Sequence, residues 1–334
     1  MAMADVAALV ARHGMSPMLA TAADLPAGDP GWAYEMKWDG VRAIAYASGG
    51  EVRLVSRTGR DITGVYPELG RLPAALVGRQ AVLDGEIVAF GGGEWPSFEA
   101  LQQRMNISSP AQARALATRD PVSFLAFDLL VLDGEELAGL PYSQRRERLE
   151  GLGLTGGFWQ VPPSVPGQAG ADLLAVARQN GLEGVVAKRL DSRYEPGRRS
   201  AAWLKHKILR RQEVVVGGWK PGEGRRAGGI GSLLIGVQSP AGLEYAGHVG
   251  TGFTDRALDM LHARLAPLRR PASPFASTVP PEYARAAQWV EPLLVIEVEF
   301  ARWTSAGRMR APSYKGMRDD RDPAEVVREP GPWG

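Results

Sequence analysis

Residues 35–43, Glu35 to Ala43, read EMKWDGVRA and set one lysine between an apolar approach and a glycine turn. Asp39-Gly40 is a dipeptide suited to tight turns, and the VRAIAYA beginning at Val41 reads as a buried strand. Lys37 therefore stands at a break between extended segments, where its side chain can face a pocket. Taken alone it reads as an ordinary surface amine beside a hairpin, so a functional meaning depends on the rest of the chain.

The chain has 334 residues, 45% hydrophobic and 23% charged, a globular composition with length for about two domains. It has no cysteine, which excludes disulfides, thiolate zinc sites and a cysteine nucleophile and suits a reducing, cytoplasmic setting. The N-terminal MAMADVAALVARHG lacks the basic leader and cleavage pattern of a signal peptide. No stretch is long and apolar enough to span a membrane, so no membrane partner is expected. Net charge is +2 with a pI near 8.9, and the basic residues cluster, so a nucleic-acid surface would be a patch.

Up to about residue 210, the strand-like runs EVRLVSRTG, LDGEIVAF, FLAFDLLVLDG and GVVAKR mix with three helical stretches. The helices are SFEALQQRM, capped by Ser97, YSQRRERLEGLG from near Ser143, and DLLAVARQNG, ending at Asn180-Gly181. Strands and helices do not alternate regularly, which predicts an α+β domain with antiparallel sheets and flanking helices. After Lys207 the texture changes to VVVGGW, GSLLIGVQ, LEYAGHVGTGF and LLVIEVEFARW, interrupted by one helix, ALDMLHARLAPL, with Leu258, Leu261, Leu265 and Leu268 on one face. That pattern predicts a small OB-type barrel. The boundary falls at 208–212, giving domains of 1–209 and 210–334, and PGEGRRAGGIG (221–231) reads as a basic hairpin tip.

Strand alternation puts Asp84, Glu86, Val88 and Phe90 on one face, so two carboxylates project together and call for a cation. Glu183 opens EGVVAKR, with Lys188 five residues on and on the opposite face. Lys205 and Lys207 share a face of WLKHK, Arg57 and Arg60 end another strand, and Phe127 precedes Asp128. Singly these are charged faces and core packing. Together they are the parts for chemistry on a nucleoside triphosphate: an amine, carboxylates for a divalent metal, cations for phosphates and a ring for a base.

Lys37, Asp39, Gly40 and Arg42, spaced Lys-x-Asp-Gly-x-Arg, resemble the signature of covalent nucleotidyltransferases, and SRTG, LDGE, AFD, EGVVAK and WLKHK resemble that superfamily's further motifs in order. PSYKGMRDDRDPAEV resembles the last motif, with Arg321 where the family has lysine. PMLAT, WPSFEALQQRM, YEPGRRSAAWLKHK and GGIGSLLIGV are similar to bacterial ATP-dependent DNA ligases of the end-joining type, from about Pro17 to Val327. The resemblance implies ATP as substrate, Mg2+ or Mn2+, nicked or broken duplex DNA and end-joining or repair proteins as partners, and a monomer in the nucleoid-associated bacterial cytoplasm.

It further implies that Lys37 takes AMP, that Glu86 and Glu183 hold metal, and that Lys205 and Lys207 hold the α-phosphate. Arg42 and Arg57 go to ribose or phosphate, Phe127 to the adenine ring and Glu35 to the base edge, with Asp39 shaping the turn. Crowding by Arg42, Lys205, Lys207 and a metal would favour the neutral amine that attacks. Arg318 and Arg321 would orient pyrophosphate once the barrel closes over the nucleotide. Arg198, Arg199, Lys220, Arg225 and Arg226 are candidate phosphate-backbone contacts. Three alternatives stay open: an RNA ligase or capping-type enzyme, a non-catalytic nucleic-acid-binding OB protein, and a Schiff-base lysine enzyme.

Overall fold

Trp32–Met36 and Val41–Ser48 both form strands, but they do not pair with each other. In this computed structural model, which describes residues 6–105, 107–222, 224 and 228–329, they belong to two different sheets. The hairpin reading of Asp39-Gly40 is thus corrected: residues 37–40 carry the chain from one sheet to the next. Gly40 is required there by close approach. A Cβ on it would lie 2.2 Å from the Ile87 carbonyl oxygen and 2.8 Å from Glu86 Cγ, distances that no side chain tolerates.

Contacts divide the chain into two compact units, Met1–Lys207 and Ile208–Gly334. In the first, one sheet runs in the order Leu19–Ala22, Arg199–Lys207, Gly184–Arg189, Trp32–Met36, Val165–Pro166. The other runs Glu51–Ser56, Val41–Ser48, Ala81–Ala89, Val122–Leu132, Glu135–Glu136, with Trp159–Gln160 beside Val122–Leu132. Most pairings are antiparallel; Leu19–Ala22 with Arg199–Lys207 and Val122–Leu132 with Trp159–Gln160 are parallel. The α+β expectation holds.

Period-two alternation sorts Ala81–Ala89 between two cores. Leu83 and Ile87 join a cluster with Phe124, Leu129 and Trp159 on one face. Val82 joins Phe127, Leu130, Tyr194 and Trp203 on the other, the face that Asp84 and Glu86 share by parity. Val122–Leu132 is buried along its whole length, as a strand covered on both faces must be, and it bulges twice. Asp84 pairs with Asp128 and Gly85 with Ala126, which leaves Phe127 outside the ladder, re-aimed as bulged residues are. Helices cover this unit: Phe98–Gln102 starts at Ser97, whose hydroxyl accepts from Ala100 N, and Tyr142–Glu150 begins one residue before Ser143.

The second unit is a curled sheet in the order Gly242–Val249, Ile230–Ser239, Arg210–Pro221, Gln288–Phe300, Arg269–Arg270, with Ser313–Met317 also on Gln288–Phe300. This is the half-barrel of an OB fold. Helix Asp255–Leu265, capped by Thr254, buries Leu258, Leu261 and Leu265 in the barrel core, and Leu268 packs against that core from the turn beyond. Arg225 and Arg226 lie outside the described residues.

Gly85 sits between the two carboxylate positions, and a Cβ there would meet Phe124 Cε1 at 2.4 Å and the Leu125 oxygen at 2.6 Å. Gly85→Ala is therefore expected to cost about 1–3 kcal/mol by overpacking. Urea denaturation of the variant against the wild type measures it.

Candidate functional site

Pairing of Trp32–Met36 with Gly184–Arg189 places Met36 opposite Val185, and the Lys37 N–H then donates to the Gly184 carbonyl at 2.9 Å. That extra rung brings residue 37 beside residue 183. Lys37 Nζ donates to Glu183 Oε2, and Lys207 Nζ lies 2.9 Å from Glu183 Oε1. Burial alone would raise the Glu183 carboxyl, but the Lys37 and Lys207 ammonium groups outweigh it and hold it below the usual range. The direct partner of Lys37 is a carboxylate rather than one of the expected cations.

Lys37 lines a cavity of about 200 Å³ together with Glu35, Arg42, Arg57, Glu86, Phe127 and Lys205. Lys205 is held below its ordinary value by burial and by Arg199, Lys207 and Lys37, against the pull of Glu183. Glu86 faces Arg42 and Lys37 but is raised by burial, with Asp84 and Glu183 adding to it, up to about 7. Arg57 is exposed at the rim. Arg199 also lines the cavity and donates to the Ala20 carbonyl at 2.6 Å, while Arg198 is exposed near Glu195.

Two of the expected ligand contacts are engaged within the protein. Arg42 presents its fork to Asp84, Nε to Oδ1 and Nη2 to Oδ2 at 2.6 Å each, and Asp84 is fully buried with a further bond from Tyr194 at 2.6 Å. Asp84 thus receives its cation from the next strand. Glu35 is buried, accepts from the Tyr142 hydroxyl and lies 2.9 Å from Lys188 Nζ. The Phe127 ring is faced by Arg42 Cζ and Lys188 Nζ, each 4.5 Å from its centroid.

Lys188 lines the same cavity, whereas Glu183, on the opposite face by strand parity, is not among its lining residues. Lys188 is lowered by burial against the pull of Glu35 and Asp128. Sequence reading also passed over Trp38 and Trp203; both line the cavity, and both Nε1 atoms are buried with no hydrogen-bond partner among the described residues.

In the second unit, Arg318 is bonded to Glu213 at 2.7 Å and to Asp320 at 2.9 Å, with Glu297 at 3.5 Å. Glu213 and Glu297 stand directly opposite on paired strands, so the guanidinium bridges two like charges. Arg321 is more exposed, 3.4 Å from Glu213. Lys220 donates to the Glu282 carbonyl at 2.9 Å.

Glu86 and Glu183 supply two hard oxygen donors, and no group of three or more ligating side chains occurs among the described residues. One or two carboxylates completed by substrate phosphates is the donor set Mg2+ commonly takes, so these residues fit a divalent ion that arrives with a nucleotide.

The family described as ATP dependent DNA ligase domain matches residues 17–207, and the ATP dependent DNA ligase C terminal region matches 226–321. The chain is 47% identical over 318 residues to the multifunctional non-homologous end joining DNA repair protein LigD of Mycobacterium tuberculosis, covering 94% of this chain and 40% of that protein. Identity to the LigD of Pseudomonas aeruginosa is 37% over 321 residues, 94% of this chain and 36% of the relative. The chain thus spans well under half the length of these relatives. The solved ligase domain from M. tuberculosis LigD matches with a TM-score of 0.54 and 45% identity, over 95% of this chain and 99% of that one. A mycobacterial DNA ligase D complexed with ATP and MES matches at 0.55 and 44%, over the same shares.

The Glu86 shift has a measurable sign. Its folded value of about 7 exceeds its ordinary 4.5, so the folded chain keeps a proton that the unfolded chain releases. The stability this contributes is present below 4.5 and is lost as pH rises through 7. Wild type should therefore lose stability relative to Glu86→Gln across that window, read by urea denaturation on either side of it.

Proposed function

This chain belongs to the ATP-dependent DNA ligases, and we propose on that basis that it seals nicks or breaks in duplex DNA through a lysyl-AMP intermediate. Lys37 is the nucleophile. Its Nζ gives up one ammonium proton to become the free amine, forms a bond to the α-phosphorus of ATP as the bond to the pyrophosphate oxygen breaks, and loses a second proton as the phosphoramidate forms; bonded Glu183 is the first acceptor in reach. AMP then passes to the 5′ phosphate at the nick, and the 3′ hydroxyl displaces it. The observation that carries this reading is the Lys37–Glu183–Lys207 chain of charges at a cavity that also holds Glu86, Lys205 and two unpaired indole donors.

Lys205 holds the α-phosphate, where negative charge builds as the amine attacks, and Lys207 keeps Glu183 ionised beside it. Glu86 and Glu183 would hold a divalent ion, which would supply positive charge to the phosphates. Arg57 reaches phosphate or ribose from the rim. Arg42 acts one step removed, holding Asp84 and backing Phe127, and a base that stacks on Phe127 shares the ring with Arg42 and Lys188. Glu35, fixed by Tyr142 and Lys188, presents its edge to the base. Arg198, Arg199 and Lys220 contact the DNA backbone, and end joining, the work named for the LigD relatives, is the repair setting in which such a ligase serves.

Lys37→Ala should abolish retention of α-labelled AMP after denaturation, leave the fold intact, and still seal a nick adenylated beforehand. Label that persists on the variant would end the proposal, and a failure to seal the pre-adenylated nick would give Lys37 a second role.

The terminal motif serves pyrophosphate departure in the first step, when the barrel unit closes on the nucleotide. Arg318→Ala should then cut self-adenylation on the order of a hundredfold and spare the sealing of pre-adenylated nicks, while Arg321→Lys is tolerated. Equal damage to both reactions would instead make Arg318 the clasp between Glu213 and Glu297.

A further inference from the structure

The barrel unit carries a second cleft, of about 480 Å³, lined by Tyr245, His248, Thr251, Tyr283, Arg308 and Ala311. None of its residues belongs to the adenylation chemistry. Its floor is Tyr245, 2% exposed, whose hydroxyl is buried with no hydrogen-bond partner among the described residues. The charged and phenolic groups near enough to act on that hydroxyl are Tyr283, Arg308 and Glu282, and Tyr283 and Arg308 line the same cleft. A buried hydroxyl left unpaired costs stability, and a partner from outside the chain would remove that cost.

The wall is aromatic and cationic. His248 and Tyr283 stack with centroids 4.2 Å apart and planes 29° from parallel. Arg308 Cζ lies 4.5 Å from the Tyr245 centroid, and its Nη2 donates to the Thr278 carbonyl at 3.2 Å. No carboxylate pairs with Arg308 among the described residues, so its charge remains available. Lys220 Nζ, 5.6 Å from the Tyr283 centroid, adds a second cation. Glu282, whose carbonyl holds Lys220, is the acidic group that acts on the cleft. His248 is kept below its ordinary value by burial and by Lys220, against Glu282, so its ring is neutral and able to stack near neutral pH. Ala311, at the rim, is held at φ 51°, a left-handed conformation that costs about 1 kcal/mol or more outside glycine.

We propose that this cleft binds an unpaired nucleotide, its base extending the His248–Tyr283 stack, its phosphate on Arg308 and a base-edge or sugar group on the Tyr245 hydroxyl. Stacking on aromatic rings beside a cation is how folds of this class hold unstacked bases without reading their sequence. A peptide carboxylate would satisfy Arg308 but leave the ring stack unused. Duplex DNA keeps its bases paired and offers none to the stack. The site is thus distinct from the sealing of a paired nick and suits either the single-stranded tail of a broken end or a free nucleotide.

The test is binding of fluorescein-labelled oligothymidylate to the whole chain, read by anisotropy, with self-adenylation assayed in parallel. Tyr283→Ala should weaken binding roughly tenfold, and Arg308→Gln should weaken it and flatten its salt dependence. Tyr245→Phe should weaken it about fivefold while leaving thermal stability unchanged or raised, because the unpaired hydroxyl is gone; a purely structural tyrosine would show no such split. All three variants should self-adenylate as wild type does. Displacement of the probe by thymidine monophosphate assigns the site to a free nucleotide, and displacement by unlabelled oligothymidylate alone assigns it to a single strand. Wild-type affinity in all three variants, or no binding by wild type, overturns the proposal. Failure of wild type to self-adenylate would overturn the ligase reading and leave this one standing.

Discussion

The close approach of Gly40 to the Ile87 carbonyl, 2.2 Å from where a Cβ would sit, is the constraint on which the first unit rests. It lets the chain pass from one sheet into the other with no side chain between them. Lys37, three residues earlier, is thereby delivered to the seam where both sheets contribute side chains. Glu183 and Lys207 come from the first sheet and its flank, Glu86 and Phe127 from the second. A bulkier residue at position 40 would force the sheets apart and separate the amine from Glu86.

Around that seam the interior is charged to a degree that demands pairing. Asp84, Asp128 and Arg145 are fully buried, and Lys188, Glu35 and Arg146 nearly so. Asp128 and Arg145 share two bonds of 2.7 and 2.9 Å, and Asp84 takes Arg42 and Tyr194 in the same way. Desolvated ions persist only where such partners meet them. The pairs brace the cavity wall, which Lys205, Arg57, Trp38 and Trp203 also line. The same rule governs the barrel, where Arg318 separates the opposed Glu213 and Glu297.

The division of labour between the units follows from their chemistry. In the first, Lys37 and Lys207 share Glu183, and the neighbouring charges pair with one another. In the second, the aromatic cleft holds cations without carboxylate partners and a hydroxyl without an acceptor among the described residues, which suits recognition rather than reaction.

Much of this was readable in the chain. Alternation placed Asp84 and Glu86 on one strand face, helical spacing placed Leu258, Leu261 and Leu265 in the barrel core, and Ser97 was recognisable as a helix cap. These are local consequences of period, propensity and hydrogen-bonding chemistry. Pairing across distant segments was not readable, because it is set by sheet order and by bulges that leave no periodic trace. Hence Asp39-Gly40 looked like a hairpin turn and is a crossover, and the pairing of Arg42 with Asp84 was not legible. The residue types and their order along the chain specify a nucleotidyltransferase; which carboxylate meets which cation is settled when the two sheets close, since a buried charge takes the partner that packing brings within reach.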